Sequence, residues 1–212
     1  MKTDDLIAAL SADAPAMGRP IGRTVLVCVG AGALAAAVIF FVVLGMRPDI
    51  STAMETPRFI FKVLLTLTLL ATALALILHL ARPERVSPGW IAALAAAPIL
   101  LIAAALIELV ILPSDLWMPR LIGTNAMMCV ILIPFLSALP LVATLFALRQ
   151  GAPTHPALAG AIAGLLSGGI GASLYATHCT DDSPLFVAAW YVLAIAFLAL
   201  IGAIAGSRLL RW

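Results

Sequence analysis

The chain has 212 residues, 64% of them hydrophobic and 10% charged, with a formal net charge of +2 and a mean hydropathy of +1.16. Soluble domains carry about 25% charged residues, and no single globular core hides this much apolar surface, so an ordinary soluble domain is excluded. The small net charge and the lack of a basic cluster exclude direct nucleic-acid binding.

The first fifteen residues, "MKTDDLIAALSADAP", predict a short water-facing helix. Thr3 is a hydroxyl cap, Asp4 and Asp5 occupy the first turn where the helix dipole favours negative charge, and Leu6, Ile7 and Leu10 form a narrow apolar stripe. Asp4 and Asp5 stand where a secretory signal has its positive region, so a cleaved signal is not expected. An isolated helix of about ten residues is marginal in water. Three readings are open: docking in a partner's apolar groove, lying on a membrane surface, or a frayed terminus. Interfacial helices are usually rich in Lys and Arg, so the acidic face favours a protein partner. Residues 1–22 are thus read as a partner-binding segment and linker.

Residues 23–212 predict an all-α bundle of six transmembrane helices. A bilayer core needs roughly 20 apolar residues per helix, and lipid forces backbone pairing within each. The spans are set at about 24–46, 59–80, 89–112, 126–148, 156–177 and 185–207. The breaks hold most charges and many prolines. With the N-terminus inside, Lys2, Arg19, Arg23, Arg82, Arg85, Arg149, Arg208 and Arg211 lie on the inner side, against Arg47, Arg58, Lys62 and Arg120 outside. This bias places both termini in the cytoplasm.

"GAIAG" occurs at 160–164 and again at 202–206. Glycines four apart allow close helix approach, so spans five and six are expected to touch there. Pro98, Pro134 and Pro140 predict kinks. Lys62 and Glu108 lie about one turn inside spans two and three, near the outer face, where they either pair or snorkel separately to water; snorkelling is the expectation. The spans carry no midplane charge, which argues against an ion-coupled transporter.

Three cysteines remain. Cys28 lies near the inner end of span one. Cys129 and Cys179 share the outer side, which is oxidising in bacteria, and are candidates for a reversible disulfide. His178, Cys179, Asp181 and Asp182 are also candidate metal ligands. Equally, they form a polar loop with Asp181 or Asp182 capping span six. No HExxH, GxSxG or P-loop is present, so no enzyme is expected.

The leading segment, carried by Thr3, Asp4, Asp5, Leu6 and Leu10, followed by six spans in just over 200 residues, resembles the NrsF family. The outer-side placement of Cys129 and Cys179 with the "HC" context resembles it as well. These are negative regulators of sigma factor F, bacterial membrane-embedded anti-sigma factors. The resemblance implies that the cytoplasmic segment holds a sigma factor of the extracytoplasmic-function type at the inner membrane. It further implies that oxidative or metal stress, sensed near Cys129, Cys179 and His178, releases that partner, with a metal ion entering only as a signal and no cofactor. The alternative is a small transporter or channel for a metal or apolar solute.

Overall fold

The computed structural model describes Thr3 and residues 21–81, 88–151 and 153–210. Every regular element among them is helical. Six helices are long and apolar enough to cross a membrane. Span one is Ile21–Val43, starting and ending earlier than the sequence placed it. Span two is Pro57–Leu80. Span three comes in two pieces, Pro88–Leu94 and Ala96–Ile111. Span four is Ala126–Arg149 and span five Pro156–Ala176. Span six runs Pro184–Leu209 with a π-helical turn at Val187–Tyr191.

Span five is the hub: 67% of its apolar window is buried, against 17% for span three. Its glycines explain why. A Cβ at Gly160 would overlap the Gly202 carbonyl, and one at Gly164 the Leu198 carbonyl, so the two GAIAG strings form one close seam between spans five and six. A Cβ at Gly169 would sit 3.1 Å from the Leu70 backbone of span two, and one at Gly171 would strike Ser137 and the Ile133 carbonyl of span four. Three helices therefore approach one helix at backbone distance, where van der Waals contact rather than hydrophobicity provides the attraction. Span one packs mainly on span four, and Gly32 leaves room there for the Pro140 backbone.

The prolines act differently from one another. Span four continues through Pro134 and Pro140. Span three breaks at Ala95, because Pro98 has no N–H to donate to Leu94 and its ring crowds that carbonyl.

Six spans put the loops between one and two, three and four, and five and six at one end. At the other end Gly151 lies against the Ala81 carbonyl and Ile21, so the start of span one meets the turns after spans two and four.

Candidate functional site

The loop joining spans five and six carries Cys179, 1% exposed, and Cys129 of span four lies against it at 0% exposure. Both are free thiols. They are neighbours in the same buried cluster. The contact with Cys129 holds the Cys179 thiol below the ordinary range; burial opposes this, and the nearby Lys62 charge adds to it. Behind them stand Tyr175 and Tyr191, both fully buried, with ring centroids 6.1 Å apart. Neither tyrosine hydroxyl finds a hydrogen-bond partner among the described residues. Cys28 stands apart on span one, only partly buried.

Local chain geometry presents both sulfurs. Asp181, two residues beyond Cys179, accepts at one oxygen from the backbone N–H groups of Thr124 (3.0 Å) and Asn125 (2.8 Å) and from both side chains. Those donors lead into span four, where the Cys129 N–H donates to the Asn125 carbonyl at 2.9 Å. One carboxylate thus fixes the turn that points Cys129 at Cys179. Burial pushes this carboxyl up, but the hydrogen bonds from Asn125 and Thr124 outweigh it and hold it below the usual carboxylate range.

The loop is also clamped from spans one, two and three. Lys62, wholly buried in span two, donates from Nζ to the Cys179 carbonyl at 2.8 Å and the Asp181 carbonyl at 3.3 Å, and pairs with Asp182. Arg47 pairs with Asp49 at 2.7 Å and Asp182 at 2.8 Å. Its side chain reaches the Cys179 carbonyl at 3.4 Å, and its own N–H donates to Thr177 at 3.0 Å. The hydrogen bond to Asp49 pushes the Arg47 guanidinium higher still; burial opposes it and Asp182 reinforces it. Gly45 leaves span one at a φ of 71°, a conformation glycine adopts without Cβ strain. Its carbonyl accepts from His178 Nδ1 at 2.9 Å. Glu108 of span three accepts from Ser183 Oγ at 2.7 Å and the Leu185 N–H at 3.2 Å, and its other oxygen pairs with Arg58 at 3.1 Å.

These contacts overturn two expectations. Lys62 and Glu108 neither pair with each other nor snorkel. Each turns inward because the loop offers it an opposite charge or hydrogen-bonding groups that offset the cost of burying it. Neither Asp181 nor Asp182 caps span six, whose first turn follows Ser183; Asp181 serves the start of span four instead. The same commitments scatter the candidate ligands. His178 faces Gly45, Asp181 faces Asn125, and Asp182 faces Lys62 and Arg47. Among the described residues no three His, Cys, Asp or Glu side chains are arranged to hold a metal ion.

In the sequence Arg47 reads only as an orientation charge, and nothing marks Asn125, Ser183, Tyr175 or Tyr191. The available signal was the concentration of charge, with Arg47, Asp49, Asp181 and Asp182 all in loops at one end. Of the proposed partner-binding residues, Thr3 is helical and exposed, while Asp4, Asp5, Leu6, Ile7 and Leu10 lie outside the described residues, as do the basic positions Arg82 and Arg85.

The arrangement is a dithiol sealed from water, with its loop tied to every other span around it. The NrsF family, described as negative regulator of sigma F, matches residues 10–212. A Caulobacter vibrioides protein named anti-sigma-F factor NrsF is 38% identical over the full length of both chains. An Azospira oryzae protein named probable anti-sigma-F factor NrsF is 34% identical, again over the full length of both. No solved structure matches the chain.

Proposed function

This chain belongs to the NrsF family, the negative regulators of sigma F, and from that premise we propose that it sequesters a sigma factor of the extracytoplasmic-function type at the bacterial inner membrane. Residues 1–22 bind the partner in the cytoplasm, with Leu6, Ile7 and Leu10 as the apolar anchor and Thr3, Asp4 and Asp5 as its capped acidic start. Both termini face the cytoplasm, and the thiol end faces the opposite compartment.

In this reading Cys129 and Cys179 sense oxidative stress. A two-electron oxidant such as a peroxide takes Cys179 to a sulfenic acid; Cys129 then displaces water and a disulfide forms. The thiolate is the attacking form, which favours Cys179. Among the described residues of this loop and its neighbours, a metal signal would find the two sulfurs free, since His178 and the two aspartates are engaged elsewhere. Bonding the sulfurs draws the Cys179 backbone toward span four. That backbone carbonyl is what Lys62 and Arg47 hold, so the pull reaches spans one and two. Span one begins at Ile21, and in sequence it follows the partner-binding segment and its linker. A tenfold loss of partner affinity requires about 1.4 kcal/mol of coupling between the two ends.

The observation carrying this reading is family membership along the whole chain. Its test is co-purification from detergent of the full chain and of a variant lacking residues 1–15, each expressed with its cognate sigma factor. The full chain retains the sigma factor and the shortened chain loses it. Retention by the shortened chain would remove the leading segment from the mechanism.

A further inference from the structure

A cavity of about 440 Å³ lies between spans two, three, five and six. This is within the range of small-molecule sites. It exists because two helix irregularities meet there: the break at Ala95 opens span three, and the π-helical turn at Val187–Tyr191 displaces span six. Leu65, Leu101, Val187 and Tyr191 form its buried walls. Pro98, Val192 and Ala196 form its rim, and all three are exposed on the outside of the bundle. The mouth therefore opens sideways, between spans three and six. Leu65 and Leu69 lie about 12 and 18 Å along span two, which places the cavity at the depth of lipid chains.

We propose that this cavity seats an acyl chain of a bilayer phospholipid. Thr66 and Tyr191 are the two polar side chains on the wall among the described residues, and the Tyr191 hydroxyl is the one without a partner, too little to hold a water. A buried water needs two to four polar partners, yet Thr66 already donates its hydroxyl to the Val63 carbonyl at 2.9 Å, and no charged residue among the described ones lines the space. Left empty, the lining side chains forfeit dispersion contacts. The rim is continuous with a lipid-facing surface on which Ile99, Leu193 and Phe197 are exposed, so a neighbouring chain enters without leaving the hydrocarbon. Tyr191 is the back wall and also packs on Tyr175 beside the thiol pair. A seated chain thus packs on one member of the aromatic pair that stands beside the thiols.

The test uses the full chain in bilayer nanodiscs containing a phospholipid with a photoactivatable diazirine at mid-chain, and maps the labelled residues by mass spectrometry. Leu101 and Tyr191 are labelled as readily as the lipid-facing Leu193 and Phe197. Ala196→Trp, which plugs the mouth from an exposed position, lowers labelling of Leu101 and Tyr191 several-fold and leaves Leu193 and Phe197 unchanged. Val192→Trp, on the same rim, does the same and guards against a misfolded first variant. Labelling of the deep pair at background, or labelling that neither plug reduces, overturns the assignment. Neither the thiols nor residues 1–22 enter this test, so its failure leaves the sigma-factor reading standing.

Discussion

The buried ammonium of Lys62 donates to the backbone carbonyl of Cys179 at 2.8 Å, so a charge in span two and the thiol loop between spans five and six form one unit. Two consequences follow from the same contact, one electrostatic and one mechanical.

The electrostatic one concerns thiol reactivity. The Cys129 contact and the Lys62 charge hold the Cys179 thiol below its ordinary range, where an unperturbed thiol titrates near 8.5. The rate of peroxide-driven disulfide formation should therefore rise with pH through a midpoint below about 8.5. Lys62→Met removes the charge and should move that midpoint upward. The same variant leaves Asp182 with Arg47 alone and costs about 3 kcal/mol of stability, the range for breaking a buried ion pair from one side. Unchanged midpoints in the two proteins would show that Lys62 serves only the loop's geometry.

Asp181 yields a pH dependence with a defined sign. Its folded carboxyl lies below the unfolded value because the hydrogen bonds from Asn125 and Thr124 outweigh burial. The stabilisation is therefore fully present above the unfolded value near 3.9, and is lost as pH falls through the lower folded value. Because the carboxylate is partly in water, the contribution is about 1 kcal/mol after allowance for screening. Thermal unfolding in detergent should show no loss from this group between pH 7 and 5 and a decline below about pH 4. Asp181→Asn should be less stable at neutral pH and lack that share of the acid decline. Parallel curves for the two proteins throughout would contradict the assignment.

How much of this was readable in advance differs by level. The six spans were legible because lipid imposes length and apolarity on each helix independently of its neighbours. The seam at Gly160 and Gly202 was legible because a four-residue glycine spacing means one helix face whatever lies opposite. The clamp was not. Lys62, Glu108 and Arg47 are single charges whose partners, Asp182, Ser183 and the Cys179 carbonyl, lie 75 to 135 positions away, and nothing local specifies the pairing. The same holds for the two thiols. Their shared side and depth could be read from span positions, but their closeness depends on Asp181 anchoring the start of span four. The cavity was also hidden, since a π-helical turn has no sequence signature here.

The glycine seam separates close packing from generic helix content. A Cβ at Gly160 would overlap the Gly202 backbone, which cannot rotate away, whereas one at Gly30 on span one meets nothing within 4 Å. Gly160→Ala should therefore destabilise by about 1–3 kcal/mol, the usual cost of overpacking. Gly30→Ala should be neutral or stabilising by up to about 1 kcal/mol through helix propensity. Thermal unfolding of both variants in one detergent makes the comparison. Equal effects would mean that spans five and six do not meet at backbone distance.

The three cysteines allow the sensing proposal to be tested with one substitution type. Cys129 and Cys179 are neighbours in one buried cluster, and Cys28 lies on span one, only partly buried. Serine is nearly isosteric, so each replacement tests sulfur chemistry rather than volume. Cys129→Ser and Cys179→Ser should each abolish peroxide-driven release of the captured sigma factor, because one remaining thiol cannot close the bridge, while capture itself persists. Cys28→Ser should leave both capture and release intact. The measurement is the fraction of sigma factor eluted from immobilised protein before and after peroxide. If release survives the loss of both Cys129 and Cys179, the oxidant acts elsewhere, and the buried dithiol serves packing alone.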